Sequence, residues 1–341
     1  MLRIVLLRNK AEYGRSVMYA LETADLERSF RGHRVIDGLN LHVGKGEIYG
    51  FIGRNGAGKS TTMRMIAGLL APQAGQIRIF GQALTPCEAN PALGTLIENP
   101  GLYPNLSAFD NLMTKALVLG VVNASKRCRE LLNLVGLDGS KKRVKGFSMG
   151  MRQRLGVAMA LLGNPEILIL DEPLNGLDPE GAREIRQLLS RLNRDRGITV
   201  LVSSHVLDQL ERMCTCYGVI CGGRMVRELT AQEVEQECAS YLALSCLEPE
   251  RAFAILTERF PQFTASVLPD NSLHITGDIE ASDVGRVLAE EGIVIQELHR
   301  TEGDIEDFFV QLMGADDSKQ AAHVSTSGHI PNHFVKGGDA R

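Results

Sequence analysis

The sequence predicts an α/β fold in which a largely parallel sheet is flanked by helices, followed by a smaller α+β domain. Strand and helix patterns alternate from residue 18 to about residue 226, linked by short turns rich in Gly and Pro. Residues 47–52 and 166–170 contain continuous apolar runs, which is typical of parallel strands buried on both faces. Beyond residue 240 the order of elements changes, which indicates a second domain in 227–314.

Length and composition limit the possible classes of protein. The 341 residues are enough for two domains, and 44% hydrophobic with 23% charged residues is typical of a soluble globular chain. The formal net charge of −4 argues against binding to nucleic acid through a basic surface. No apolar run approaches the roughly 18 residues of a membrane span. We therefore expect a chain that binds no nucleic acid and does not cross a membrane, although it can dock on one.

Both ends of the chain differ from the segments between them. Residues 1–17 have a basic, apolar start without the apolar length or cleavage pattern of a signal peptide. Because Met18 begins a more domain-like segment, we expect 1–17 to be a disordered extension and Met18 to be the true start. Residues 315–341 are rich in Ser, Gly, His and Asp without periodicity, which predicts a disordered tail.

A glycine-rich loop of the pattern G-x-x-x-x-G-K-S joins the first buried strand to a helix that Gly68 closes. A strand entering a helix through glycines turns several N–H groups toward one point at the positive end of the helix dipole, which suits a triphosphate. Lys59 would reach the β- and γ-phosphates, and the Ser60 hydroxyl would bind Mg²⁺. The alternative is a loop that is glycine-rich only for tight packing. The candidate nucleotide-binding residues are Gly53, Arg54, Asn55, Gly56, Ala57, Gly58, Lys59, Ser60 and Thr61.

Two carboxylates follow the buried strand in 166–170. Doubly wound folds place ligand-contacting groups at the carboxyl ends of their strands. Asp171 is therefore a candidate ligand of Mg²⁺, and Glu172 is a candidate general base for the attacking water. The alternative is a strand ended by capping acids before Pro173. Together with the phosphate loop, this pair indicates a nucleotide-hydrolysing protein.

Further motifs in residues 20 to about 226 resemble those of ATP-binding cassette (ABC) transporter ATPases. Residues 147–154 resemble the family signature, although Phe147, Met149 and Met151 depart from its usual form. Residues 175–178 resemble the D-loop, and residues 203–205 resemble the switch motif, which ends in a histidine. The resemblance implies nucleotide contacts by Ser148, Gly150 and Asp178, a catalytic role for His205, and adenine stacking by Phe30. A core histidine and a core phenylalanine are the alternatives for the last two.

The resemblance also implies the architecture and the ligands. We expect a P-loop NTPase with a RecA-like core, an antiparallel β subdomain and a helical subdomain, and with ATP and Mg²⁺ as cofactors. Lys59, Glu172 and His205 would be its catalytic residues. The chain has one copy of each motif, and in the family the signature closes over the nucleotide of a second subunit. The resemblance therefore implies a homodimer with two composite sites.

Glu98 is the clearest departure from the general family, which carries glutamine at this place as a contact to Mg²⁺ and the membrane domain. Glutamate could hold Mg²⁺ more strongly while repelling the γ-phosphate. The Ile-Glu pair, followed by Pro-Gly and Tyr-Pro-Asn, resembles the bacitracin-resistance and lantibiotic-immunity exporters. In that resemblance, Glu98 and the helices near 103–135 form the coupling surface to the permease. A surface acid without a role is the alternative.

The function implied by the resemblance is to power a separate integral-membrane ABC-2-type permease from the cytoplasmic face of the cell membrane. The subgroup implies export of a membrane-active peptide antibiotic. Export of another drug, lipid or polysaccharide is the alternative. A soluble ABC ATPase of the ribosome or DNA would need a second cassette or a long coiled-coil insertion, and neither is present.

The predicted second domain has the order β-α-β-β-α-β, which indicates a ferredoxin-like unit. Its expected elements are strands at 241–246, 263–268, 272–276 and 293–298, and helices at 249–259, 281–291 and 303–313. The seven cysteines include Cys214, Cys216 and Cys221, whose spacing lacks the paired C-x₂-C ligands of a zinc site. We expect small buried thiols there rather than a metal site.

Overall fold

The computed structural model describes residues 19–98, 100–140, 142–206, 209–211, 213–260, 264–267, 272–277, 279–301 and 303–314. The extension expected at 1–17 and the tail expected at 315–341 lie outside the described residues. The turn of the hairpin predicted around residues 270–271 lies outside them as well.

Two sheets form the larger part of the structure, as the sequence predicts. An antiparallel sheet has the order β2-β1-β4-β5, formed by β1 (Tyr19–Phe30), β2 (His33–Gly44), β4 (Ala74–Ile79) and β5 (Gln82–Ala83). A six-stranded sheet has the order β10-β9-β3-β8-β7-β6. Its strands are β3 (Ile48–Ile52), β6 (Leu93–Leu96), β7 (Ile167–Leu170), β8 (Thr199–Ser204), β9 (Cys216–Cys221) and β10 (Arg224–Thr230). The central strands β3, β7 and β8 are parallel and fully buried, as the continuous apolar runs predict for β3 and β7.

Helices accompany the six-stranded sheet, and they pack either on the sheet or on one another. They are α1 (Lys59–Ile66), α2 (Ala108–Val118), α3 (Ala124–Leu134), α4 (Met149–Ala160), α5 (Pro179–Arg196) and α6 (Ala231–Glu237). The helical pattern predicted across 107–135 is divided between α2 and α3, because Gly120 (φ 64°) and Asn123 (φ 54°) take left-handed conformations that end one helix and precede the next. The Ser107 side chain accepts a hydrogen bond from the Asp110 N–H and so caps α2.

The C-terminal α+β unit has the predicted β-α-β-β-α-β order. Its fully antiparallel sheet has the order β12-β13-β11-β14, with its own apolar core. This is the strand order of a ferredoxin-like unit. Its elements, with the helix that follows, are β11 (Tyr241–Cys246), α7 (Pro249–Arg259), β12 (Thr264–Val267), β13 (Leu273–Thr276), α8 (Ala281–Glu290), β14 (Ile295–Thr301) and α9 (Ile305–Gly314).

The division expected at residue 226 falls inside β10, which continues to Thr230. Thr230 and Glu233 then form a reciprocal capping box that starts α6. The final helix also returns to the large sheet: Phe309 is fully buried in the core of that sheet, with its ring 5.6 Å from the Tyr217 ring. Residues 227–237 and helix α9 therefore pack with the larger part, because their apolar faces complete its core.

Candidate functional site

The phosphate loop lies between β3 and α1, where the sequence predicts it. Gly58 has φ 112°, and a Cβ built there would lie 2.4 Å from the Ile36 Cδ1 atom. A Cβ at Gly53 would lie 2.6 Å from the Ile220 carbonyl oxygen. Only glycine fits these two positions, because a side chain would collide with neighbouring atoms. Gly56, with φ 84°, faces open space instead.

The loop ends at the start of α1, where an anion can bind. The first backbone hydrogen bond of the helix runs from the Thr62 N–H to the Gly58 carbonyl. Helix geometry therefore gives the preceding N–H groups, on Lys59, Ser60 and Thr61, no acceptor within the helix. Such groups at the positive end of a helix dipole form an anion site, and their number suits phosphate oxygens.

Lys59 is the cation of this loop. Its side chain is 5% exposed, and its Nζ atom donates to the Gly53 carbonyl at 2.7 Å. The same Nζ atom lies 3.4 Å from the Glu172 Oε1 atom. The buried ammonium is therefore held between the loop and the candidate general base, where it can contact the phosphate that the water attacks.

The two predicted carboxylates occupy different environments at the end of β7. Asp171 is buried, and its Oδ1 atom accepts a hydrogen bond of 2.6 Å from the Ser203 hydroxyl. Glu172 is more exposed, and its Oε2 atom lies 2.7 Å from the His205 Nδ1 atom. The alternative of simple capping acids does not fit, because each carboxylate has specific partners from β8 or the residue after it.

Glu172 also has a strained backbone, with φ 49°. A non-glycine residue in the left-handed region costs about 1–3 kcal/mol and is concentrated at functional sites. The surroundings hold it there, since the Glu172 N–H donates to the Ser203 hydroxyl at 2.9 Å. Ser203 therefore bonds to both members of the acidic pair.

The donor set fits Mg²⁺, which prefers hard oxygen ligands. Ser60 lies in the first turn of α1, beside the loop. The buried Asp171 carboxylate uses only its Oδ1 atom in the hydrogen bond to Ser203. These two residues would hold the ion. Bound there, it would neutralise charge on the β- and γ-phosphates.

The predicted adenine contact, Phe30, lies at the end of β1. It is 41% exposed, so the alternative of an ordinary core residue is wrong. The Arg28 guanidinium lies 4.9 Å from the centroid of its ring. An aromatic ring at the surface is available for stacking on a base.

The signature-like segment starts α4. The Ser148 hydroxyl caps this helix by accepting from the Met151 N–H, and Ser148 itself is exposed. The closest neighbours of a Cβ at Gly150 would be Leu177 and Gly181, at about 4 Å. Asp178 is the N-cap residue of α5, although its side chain makes no capping hydrogen bond. The signature therefore lies beside the segment that resembles the D-loop.

Glu98 follows β6 and is exposed, with φ 63°. Its carboxylate forms an ion pair with Arg64 on α1, the helix that carries the phosphate loop. The strand before it, β6, is hydrogen-bonded to the candidate Mg²⁺ ligand, since the Asp171 N–H donates to the Leu96 carbonyl. Glu98 thus lies between two elements that contact the nucleotide site.

The cysteines Cys214 and Cys216 have raised pKa values. Cys214 is buried, and burial raises its pKa far above the usual range. Burial, together with Glu47, raises the pKa of Cys216 to about 12. Both residues are therefore protonated thiols at neutral pH.

Ser203 also belongs to the site, although the sequence identifies it only as a neighbour of His205. We expect Ser203→Ala to lower kcat by about 10–100-fold, because it leaves a buried carboxylate oxygen and the Glu172 N–H without a partner. Affinity for ATP without Mg²⁺ should stay near the parent value. Ser204→Ala is the control, since the Ser204 hydroxyl bonds to Val206 instead. A parent-like kcat in Ser203→Ala would contradict this role.

A phosphate loop, a buried lysine and a paired aspartate and glutamate at the ends of parallel strands define a P-loop ATPase. The family profile described as "ABC transporter" matches residues 36–175. The bacitracin transport ATP-binding protein BcrA of Bacillus licheniformis is 37% identical over 298 residues, covering 86% of this chain and 97% of that protein. The chain therefore belongs to the family of ABC transporter ATP-binding subunits.

Two other similarities agree with this assignment. The lantibiotic transport ATP-binding protein SrtF of Streptococcus pyogenes is 40% identical over 209 residues, covering 61% of this chain and 90% of that protein. The dimeric structure of the bacterial ABC transporter cassette MJ0796 has a TM-score of 0.57 and 26% identity, covering 62% of this chain and 98% of that one. The predicted fold and the ATPase assignment are confirmed.

Proposed function

We propose that two copies of this chain bind ATP and Mg²⁺ at two shared sites and drive a separate membrane permease. Dimerisation is supported by the dimeric MJ0796 cassette and by the exposure of Ser148, which leaves the signature open to a second copy. In each site, Lys59 would contact the phosphates and Glu172 would accept the proton of the attacking water. His205 would orient Glu172 through the 2.7 Å contact between the two side chains.

A cavity beside the signature supports the permease as a partner. Its volume is about 290 Å³, and it lies between the segment that follows Glu98 and the start of α4. Gln153 on α4 lines this cavity and is buried. Its Oε1 atom accepts no hydrogen bond from the described residues. Burying such an atom is unfavourable, so a donor from a docked helix would stabilise the complex. The lining residues are Pro100, Leu102, Pro104, Val144, Lys145, Met149, Arg152 and Gln153.

A partner bound in this cavity would lie beside the segments that contact the nucleotide. A helix seated there would contact both the loop that begins at Glu98 and the start of α4, which Ser148 caps. In the proposed dimer, the loop after Glu98 belongs to one shared site and the start of α4 belongs to the other. A change in nucleotide could therefore move the permease directly, which is a coupling of local charge to motion.

The proposed cargo is a peptide antibiotic of the bacitracin or lantibiotic type, handled by an ABC-2-type permease. This proposal rests on the similarity to a bacitracin transport ATP-binding protein, which extends over 97% of that protein's length. In this chain, Glu172 also contacts both His205 and Lys59, as an ATPase site requires. None of the helices formed by the described residues has the length and apolarity to cross a membrane. We place the chain at the cytoplasmic face, bound to its permease.

The test is deletion of the gene in the source organism, followed by measurement of inhibitory concentrations. Sensitivity to bacitracin or a lantibiotic should increase, whereas sensitivity to a ribosome-targeting drug should not change. The parent gene should restore resistance, and a Glu172→Gln copy should not. Unchanged sensitivity to every peptide tested would favour export of another drug, a lipid or a polysaccharide.

A further inference from the structure

A group of aliphatic side chains protrudes where α2 turns into α3. We call these residues, Leu117, Val118, Leu119 and Val122, the aliphatic tip. Val118 and Val122 are each 83% exposed, and the other two are more than half exposed. Single exposed aliphatic residues are common, but four within six positions mark a candidate interaction surface.

The fold itself creates this protrusion. The α2 helix has its C-cap at Leu119, and the left-handed Gly120 and Asn123 then reverse the chain before α3 begins. The inward faces of the two helices are buried, as Leu112, Ala116 and Leu131 illustrate. The tip therefore lies beyond the last buried turn, where no other described element covers it.

The sequence that contains the tip is basic. Residues 111–129 contain four cations and no acid, although the whole chain has a net charge of −4. Arg127 is not available at the surface, because its guanidinium donates to the Leu161 carbonyl at 2.8 Å and its side chain is 15% exposed. Lys126 and Arg129 are exposed and, among the described residues, form no ion pair.

The two exposed cations line a shallow depression beside the tip. The Arg129 guanidinium lies 5.9 Å from the centroid of the Phe109 ring on α2, which holds it at the surface. One acid, Glu130, also lines the depression and lies 3.9 Å from Arg127. The depression has a volume of about 630 Å³, and its other lining residues are Met113, Asn123, Ala124 and Ser125.

We propose that the aliphatic tip, with Lys126 and Arg129, binds the surface of an anionic lipid bilayer. The aliphatic side chains would enter the boundary between headgroups and acyl chains, and the two cations would pair with lipid phosphates. A convex aliphatic tip with flanking cations and no acid between them suits a deformable anionic surface. A protein partner would instead need a complementary cleft and hydrogen-bonding groups. This contact would orient the ATPase at the membrane independently of the permease, and it does not depend on the proposed cargo.

The test is flotation of the purified full chain with vesicles. One set contains phosphatidylglycerol and phosphatidylethanolamine, and the other contains phosphatidylcholine alone. We expect binding to the anionic vesicles that weakens with salt, and little binding to the neutral ones. Val118→Ser with Val122→Ser should weaken binding at least about tenfold. Lys126→Gln with Arg129→Gln should weaken it by roughly 25-fold, from about fivefold for each cation.

The matched control is Leu247→Ser with Val294→Ser, which removes two aliphatic side chains that are more than half exposed from the C-terminal unit. This control should bind vesicles like the parent, and all variants should keep the parent ATPase rate and melting temperature. The proposal is overturned if the parent does not bind anionic vesicles, or if the tip variant binds as well as the control. Equal binding to neutral and anionic vesicles would also overturn it, since the cations would then have no role.

Discussion

Replacement of Glu172 by Gln is expected to lower ATP turnover by about 10²–10⁴-fold while ATP still binds. The amide has nearly the size of the carboxylate but cannot accept the proton of the attacking water. The groups that would hold the phosphates, Lys59 and the N–H groups at the start of α1, are unchanged. The loss should therefore appear in kcat, with little change in the affinity for ATP.

The same substitution should trap the proposed nucleotide-bound dimer. If ATP joins two copies and hydrolysis releases them, a variant that binds without hydrolysing should elute as a dimer in gel filtration with ATP and Mg²⁺. Glu237→Gln is a suitable control, since Glu237 pairs with Arg227 on the exposed face of β10 and α6. Turnover near the parent rate in Glu172→Gln would exclude Glu172 as the general base.

The parts of the site predicted from the sequence are those encoded by contiguous residues. The phosphate loop occupies eight consecutive positions, and Asp171 and Glu172 directly follow an uninterrupted apolar strand. In both cases the local pattern contains the physical reason for the function. The glycines leave N–H groups free, and the buried strand delivers carboxylates to a sheet edge.

Contacts between distant segments could not be predicted in this way. Ser203 bonds to residues that precede it by 31 and 32 positions, and a serine near the end of a buried strand gives no sign of such partners. The return of α9 to the large sheet is a similar case. Its amphipathic pattern predicts a buried face, but the pattern does not say whether Phe309 packs on Tyr217 or on its own domain.

Glu98 has one feature that the sequence predicts and one that it does not. Its departure from glutamine is visible in the sequence, but its ion pair with Arg64 is a property of the fold. That pair joins the loop after β6 to α1, so a movement of the phosphate loop could reach the cavity lined by Pro100 and Pro104. We propose that Glu98 reports the state of the nucleotide to the permease and does not perform the chemistry.

The expected result for Glu98→Gln is retention of most ATPase activity, because glutamine can still bond to Arg64 and is the usual residue of the family here. Glu98→Ala removes the link and should uncouple the two activities. In cells with the whole transporter, resistance should fall further than the purified ATPase rate, by a factor of about 5–150. Arg64→Gln is the informative companion, since it breaks the same ion pair from the other side.

The two assays separate the possible roles of Glu98. Equal losses of resistance and ATPase rate in Glu98→Ala would assign the residue to catalysis, as the sequence prediction of a Mg²⁺ contact requires. No loss in either assay would leave it a surface acid whose pairing with Arg64 has no functional effect, since exposed ion pairs typically contribute less than about 1 kcal/mol. A loss of resistance alone, shared by Arg64→Gln, is what coupling through this ion pair predicts. In that case the charge difference from glutamine would matter less than the connection between the loop and α1.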